Sequence, residues 1–122
     1  MVGTAAALWG IAAGVYLASM GPTGMSELGN TVLARTAYAQ QQLAAIDGVA
    51  LGDSAAHFRE FVLDLSASGK TAAEVVTALR ARNIEPGVVI GEHHLLVCVT
   101  ERLTTAHIDT LVSALTDFLK EK

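Results

Sequence analysis

The most constraining feature of this 122-residue chain is its start, where the first charged side chain is Glu27. A membrane-spanning helix needs roughly 20 strongly apolar residues. The apolar run from Ala5 to Ala18 is shorter and consists mostly of alanine and glycine, which drive membrane insertion only weakly. A secretion signal begins with positive charge, and residues 1–4 have no charged side chain. We therefore expect no membrane span and interpret residues 1–20 as an apolar helix that enters a domain and is buried against protein, with a marginal signal or anchor as the weaker alternative.

The same helix predicts a missing partner. Gly10 and Gly14 have the spacing that allows two helices to pack closely. A domain of this size has too little material to surround a wholly apolar helix by itself. The covering surface is therefore expected to be another subunit or another part of the same polypeptide, and the chain alone is expected to self-associate.

Composition limits the function classes. Hydrophobic residues make up 52% of the chain, charged residues 16%, and the net charge is −4 without any basic run. Disorder is therefore not expected, and neither is a nucleic-acid partner. Cys98 is the single cysteine, so an intrachain disulfide is impossible, which suits a reducing, cytoplasmic location.

The remaining sequence predicts three helices. The GPTG stretch at residues 21–24 ends the apolar helix, and Pro22 suits the first turn of the next. A long amphipathic helix follows and stops at Gly48; its apolar positions are Met25, Leu28, Val32, Ala39, Leu43 and Ile46. Thr71 and Glu74 have capping-box spacing for a helix ending near Asn83. The last helix begins at Thr104 or Thr105; its apolar stripe is Ile108, Leu111, Val112, Leu115, Phe118 and Leu119.

Four short segments rich in β-forming residues predict strands: VALGD, FREFVLDL, VVIG and HLLVCVT. In FREFVLDL, one face is expected to carry Arg59, Phe61, Leu63 and Leu65. The fold class is therefore α+β: a small, mainly antiparallel sheet with helices packed on one face, preceded by the apolar helix and the long amphipathic helix. Residues 21–122 are expected to form one α+β unit.

Most polar residues favour structural interpretations. Cys98 lies within an apolar strand, which indicates a small core residue. The four histidines lack the spacing of a known metal site, so we predict no metal and place them in surface turns; they are His57, His93, His94 and His107. SGKT at residues 68–71 is interpreted as a turn and helix cap. Glu60 either faces solvent or pairs with an arginine.

One short stretch offers candidate ligand contacts. Thr100, Glu101 and Arg102 directly follow the predicted strand HLLVCVT, at a strand end where polar groups can reach a ligand. The alternative, a helix lead-in with a solvated ion pair, is equally consistent with these residues. From the residues alone, the function is that of an α+β domain of unknown role.

Four stretches taken together resemble a known family: ALWGIAAGVYLASMGPTGMSELG, AYAQQQLAAIDGVAL, FREFVLDL and LLVCVTERLTTAHIDTLVSAL. They are similar to the C-terminal part of glycine dehydrogenase (decarboxylating) subunit 1, the P-protein of the glycine cleavage system. The likeness covers about Ala5 to Leu119. It implies the small domain of an aspartate-aminotransferase-like fold, in which the large domain and a neighbouring subunit would cover the entering helix.

The resemblance also implies a cofactor and partners. The family decarboxylates glycine on pyridoxal phosphate and passes the aminomethyl group to the lipoyl arm of the H-protein. In two-subunit forms, subunit 2 carries the Schiff-base lysine, and none of Lys70, Lys120 and Lys122 has the sequence surroundings of one. The chain is therefore expected to be an inactive fragment, with no catalytic or cofactor-binding residue of its own. Its expected partners are subunit 2, the missing large domain and the H-protein.

In that fold, the small domain approaches the active-site entrance through polar groups at its strand ends, which makes Arg102 the leading candidate for an anion contact, beside Thr100 and Glu101. The alternative function is a free-standing α+β regulatory or small-ligand-binding oligomerisation module. A membrane-anchored domain is a third, weaker alternative.

Overall fold

The computed structural model describes residues 3–53 and 55–121, with the side chain of residue 4 excepted. Its elements are α1 (Gly3–Ala44), β1 (Ala50–Leu51), β2 (Glu60–Asp64), a 3₁₀ turn (Ser66–Ser68), α2 (Ala72–Arg80), β3 (Val88–Val89), β4 (His94–Cys98) and α3 (Thr105–Lys120). The chain divides into two compact units, Met1–Thr31 and Val32–Lys122. Each unit is described separately below.

The first unit consists of helix α1 up to Thr31, interrupted at Gly21. Gly21 leaves the helical conformation with φ 64° and ψ 178°, a positive φ that glycine adopts without a Cβ penalty. Pro22 follows directly and has no N–H to lose at the start of the next helical turn. The predicted break at GPTG is therefore confirmed.

Residues 3–20, here called the leading helix, expose their large apolar side chains. The exposed fraction runs from 48% for Tyr16 to 75% for Trp9. The set is Leu8, Trp9, Ile11, Val15, Tyr16 and Leu17. Among the described residues of this unit, no side chain covers them, and the predicted covering partner stays a prediction.

The α1 segment Ala5–Ala44 meets the length and hydropathy expected of a membrane-crossing helix. Signal sequences and core helices of soluble proteins meet the same criterion, so this finding is weak evidence. The expectation that the chain has no membrane span stays a prediction.

The second unit is built on a four-stranded, fully antiparallel sheet in the order β1-β2-β4-β3. The central pair aligns Phe61 with Val97 and Leu63 with Leu95. Gly87 leads into β3 with φ 147°, and a Cβ there would lie 2.1 Å from the carbonyl oxygen of Leu96. Only glycine therefore allows β3 to approach β4 this closely.

The helices cover one face of this sheet, which confirms the predicted α+β fold class. Both central strands alternate between buried and more accessible side chains, as a half-covered sheet requires. The core combines residues of the sheet, α2, α3 and the end of α1: Ala39, Leu43, Phe61, Leu63, Leu65, Val75, Leu79, Leu95, Val97, Ile108 and Leu115.

Both predicted helix starts are capped. The Thr71 side chain accepts from the N–H of Glu74, and the Glu74 carboxylate accepts from the N–H of Thr71 at 2.7 Å. Of the two residues that the sequence left open for α3, Thr104 is the cap, and His107 takes the reciprocal position. The residues of SGKT thus form a turn and a helix cap, as expected.

Three expectations need correction. Cys98 is exposed rather than buried, because β4 alternates and its neighbours Val97 and Val99 take the core positions. Arg59 is exposed and precedes β2, which is shorter than predicted. Helix α2 ends at Arg80, and Asn83 at φ 59° belongs to the turn that follows.

Candidate functional site

The turn between β4 and α3 brings together the three residues singled out in the sequence. The N–H of Leu103 donates to the carbonyl oxygen of Thr100 at 3.1 Å, which closes a tight turn over Glu101 and Arg102. The N–H of Arg102 lies 3.4 Å from the Thr100 hydroxyl, a second, weaker bond inside the turn. Thr100, Glu101 and Arg102 therefore share one short, ordered segment.

Arg102 is exposed, and so is Glu101, whereas Thr100 is half-buried. Among residues 3–53 and 55–121, the ion pairs involve other arginines and histidines, and Arg102 takes part in none. The solvated ion pair between Arg102 and Glu101 is thus not formed.

Arg35 of α1 is the residue at this turn that sequence reasoning missed. Its Nη1 donates to the carbonyl oxygens of Glu101 and Leu103, the latter at 2.7 Å. The contact spans more than 60 residues of sequence. The only signal in the sequence was an arginine on the amphipathic helix, and such a residue does not indicate which distant group it contacts.

The first turn of α3 adds polar groups beside the same segment. The N–H of Thr104 lies 3.2 Å from Nδ1 of His107. Two turns from the end of α1, the Tyr38 hydroxyl donates to the Asp109 carboxylate at 2.7 Å. This hydrogen bond to Asp109, with some desolvation, raises the pKa of Tyr38 above its usual value. Tyr38 is therefore a neutral donor that ties α1 to α3.

A cavity of about 270 Å³ opens next to this turn. Its wall is mostly apolar and includes Ala39, Ile84, Pro86, Val97, Val99, Leu103, Ile108 and Leu111, with Asn83, Glu85, His107 and Thr110 as polar groups. Arg80 binds the Glu85 carboxylate through bonds of 2.7 and 3.0 Å, which lowers the pKa of Glu85. The volume is near the lower limit of small-molecule pockets.

His57 and His93 make hydrogen bonds within the domain. His57 lies 2.9 Å from the Gln40 amide through Nδ1 and 3.0 Å from Asp53 through Nε2, so both ring nitrogens are occupied. His93 Nδ1 lies 2.9 Å from the carbonyl oxygen of Lys70. Within the described part of the chain, no three His, Cys, Asp or Glu residues are grouped to hold a metal ion. Glu60 is exposed, the solvent-facing alternative of the two expected for it.

The described lysines do not fit a Schiff-base site for pyridoxal phosphate. Such a lysine is held in a dry pocket that depresses its pKa. Lys70 is only half-buried, with its Nζ 5.2 Å from the centroid of the Phe118 ring, and Lys120 is exposed. Lys122 lies outside the described residues. Within this chain, Lys70 and Lys120 therefore lack the buried surroundings of an imine-forming lysine.

A small sheet half-covered by helices, with an arginine-bearing turn at the end of its central strand, defines a small α+β domain. A similar fold occurs in a solved glycine decarboxylase (P-protein) of the glycine cleavage system in inhibitor-bound form. That structure matches with a TM-score of 0.77 and 26% sequence identity, over 84% of this chain and 24% of the other.

Sequence comparison agrees with the structural match. Residues 1–115 match the family described as Glycine cleavage system P-protein. Two relatives bear the name "Probable glycine dehydrogenase (decarboxylating) subunit 1". The protein from Geotalea daltonii is 37% identical over 83% of this chain and 24% of its own length. The protein from Coprothermobacter proteolyticus is 39% identical over 86% of this chain and 23% of its own length.

The chain belongs to the glycine cleavage system P-protein family, and the resemblance inferred from its sequence is confirmed. It spans about a quarter of the length of these relatives.

Proposed function

We propose that this chain acts in glycine cleavage as the small domain of a decarboxylating glycine dehydrogenase subunit 1. The observation that carries the proposal is the family match over residues 1–115, supported by the shared fold at a TM-score of 0.77. Because the chain spans about a quarter of its relatives, the activity belongs to a larger assembly, which we propose is cytoplasmic. That assembly decarboxylates glycine and passes the aminomethyl group to the lipoyl arm of the H-protein.

The other parts of the assembly supply what this chain lacks. Subunit 2 would hold pyridoxal phosphate, since Lys70 and Lys120 lack the buried surroundings of an imine-forming lysine. A large domain and subunit 2 would cover the leading helix. We expect the chain alone neither to bind pyridoxal phosphate specifically nor to decarboxylate glycine.

The role of the β4–α3 turn in that assembly is to contact an anionic group at the active-site entrance. Arg102 provides the contact, because its guanidinium is exposed and makes no ion pair within the described residues. A guanidinium fork binds a carboxylate or phosphate through two parallel hydrogen bonds. Thr100 and Glu101 flank it and shape the same surface.

Replacing Arg102 by alanine tests this role in the assembled enzyme, with both subunits and H-protein present. Glycine turnover or coupling to the H-protein should fall roughly tenfold or more, since a lost charge-assisted bond is commonly worth ~1.5–3 kcal/mol. Folding should be almost intact because the side chain is exposed. Arg82→Ala is the matched control, an exposed arginine paired with Asp117 and Glu121 at the opposite end of α3 from the turn. Turnover equal to that of the control would remove Arg102 as a contact.

The second candidate function is a free-standing module that binds a small ligand and oligomerises. The cavity of about 270 Å³ favours the first part, and the exposed leading helix favours the second. The reading frame upstream of Met1 separates the two functions. A frame that encodes a large pyridoxal-phosphate-type domain supports the subunit, and a genuine start codon without such a frame supports the module.

A further inference from the structure

Arg35 makes an unusual pair of contacts for a surface arginine. One nitrogen, Nη1, donates to two backbone carbonyl oxygens of the β4–α3 turn, those of Glu101 and Leu103. Within the described residues, Arg35 forms no ion pair with a carboxylate. Its half-buried side chain therefore binds the turn's backbone.

The two carbonyls lie on either side of Arg102. The carbonyl of Glu101 belongs to the peptide bond between Glu101 and Arg102. The carbonyl of Leu103 belongs to the peptide bond between Leu103 and the α3 cap residue Thr104. The peptide between them is held by the bond from the N–H of Leu103 to the oxygen of Thr100. Three successive peptide planes around Arg102 are thus fixed, two of them by Arg35.

A short turn on the surface gains little order from burial, so its hydrogen bonds decide its conformation. A bond donated by a charged group is stronger than one between neutral groups. A carbonyl that loses its charged donor can rotate toward water, and the side chain that follows rotates with it. The direction of the Arg102 side chain therefore depends on a residue on a different helix.

We propose that Arg35 is the positioning residue for Arg102: it fixes the backbone of the turn and so aims the Arg102 guanidinium at its anionic partner. This inference rests on the proposed contact role of Arg102. The inference adds Arg35, which acts through Arg102 and does not contact a reacting group itself.

The first experiment measures the turn directly in the 122-residue chain. Arg35→Ala should raise the amide hydrogen-exchange rate of Leu103 about tenfold, the effect of losing roughly 1.4 kcal/mol of local stabilisation. Arg82→Ala, whose partners Asp117 and Glu121 lie at the opposite end of α3, should leave that rate unchanged. Arg35→Lys keeps a terminal nitrogen donor and is expected to fall between the alanine variant and the unaltered chain, and it serves if Arg35→Ala does not fold. Unchanged exchange at Leu103 in a folded Arg35 variant would overturn the proposal.

The second experiment is a double-mutant cycle in the assembled enzyme with both subunits and H-protein. Arg35→Ala should lower turnover when Arg102 is present and should have no further effect when Arg102 is already alanine, because the two residues act in series. Equal losses in both backgrounds would show that Arg35 acts independently of Arg102 and would overturn the proposal.

The two experiments also separate failure of this inference from failure of the proposed function. If Arg102→Ala lowers turnover and Arg35→Ala does not, the contact role stands and the positioning role is wrong. If exchange at Leu103 rises but neither variant changes turnover, the contact role of Arg102 is wrong, and Arg35 only stabilises the turn.

Discussion

The leading helix and α3 are similar in length but differ in how their apolar side chains are used. Helix α3 spans Thr105–Lys120, starts with a capping box and buries Ile108, Ala114 and Leu115. The leading helix, residues 3–20, has no acidic residue in its first turn, and the large apolar side chains described for it are all exposed. An apolar composition alone therefore does not bury a helix in its own domain.

The pattern of residues explains the difference. In α3 the apolar positions recur at three- and four-residue steps and leave charged residues such as Asp109 and Asp117 on the other side, so the domain can cover one face. In the leading helix, alanine, glycine and large apolar residues occur around the whole circumference. Such a helix needs protein on more than one side, which a domain of this size does not provide.

The largest expected difference between the two helices comes from the same substitution made in each. Leu115 is 1% exposed and Leu8 is 69% exposed. Leu115→Ala should lower the free energy of unfolding by about 2–5 kcal/mol, since it removes a buried side chain and leaves a cavity. In the monomeric chain, Leu8→Ala should change it by less than about 0.5 kcal/mol. Urea unfolding followed by circular dichroism measures both, and similar losses would mean that the leading helix is buried in solution.

The next effect concerns association. Gly10→Leu should weaken self-association of the chain about tenfold, because a large side chain obstructs a close helix contact. A Cβ at Gly10 would meet nothing within 4 Å, and the same holds at Gly29 further along α1, so neither substitution creates a clash within the single chain. Gly29→Leu is therefore the matched control.

Sedimentation equilibrium gives the association constant in each variant. Trp9 is the only tryptophan and is 75% exposed, so its emission should shift to the blue as concentration rises and the helix becomes covered. A chain that stays monomeric at high concentration, with unchanged Trp9 emission, would contradict self-association.

The sequence predicted the parts of the fold that follow from local patterns. The break before Pro22, the Thr71 capping box, and the buried face of β2 with Phe61 and Leu63 all come from spacing within a few residues. One prediction failed although a local pattern decided the outcome. Cys98 was assigned to the core because its segment is apolar, yet alternation placed Val97 and Val99 there instead.

The candidate site was predictable only in part. Thr100, Glu101 and Arg102 were found because polar residues directly follow an apolar strand. Arg35 was not found, because its partners are backbone carbonyls, which carry no side-chain signature, and they lie more than 60 residues away. The packing of α1 against the β4–α3 turn creates this contact.

The smallest effect compares the two helix caps. The Glu74 carboxylate accepts one hydrogen bond from the backbone N–H of Thr71 and another from the Thr71 hydroxyl. These bonds, the backbone one most of all, lower the pKa of Glu74 below the ordinary 4.5. A carboxyl whose folded-state pKa is depressed stabilises the fold above its unfolded pKa, and this stabilisation is lost as pH falls through the folded value. Glu74→Gln keeps an amide oxygen for the cap but does not titrate. Its stability should therefore be slightly below that of the unaltered chain at neutral pH and equal to it in stronger acid.

Helix α3 has His107 at the position equivalent to Glu74, with Nδ1 as the acceptor from Thr104, so its cap uses no carboxylate. Thermal unfolding between about pH 7 and pH 3, across the usual glutamate pKa, measures the difference, with Glu60→Gln correcting for the loss of one exposed negative charge. A constant gap between Glu74→Gln and the unaltered chain over that range would mean that the Glu74 carboxylate does not bind the cap in its charged form.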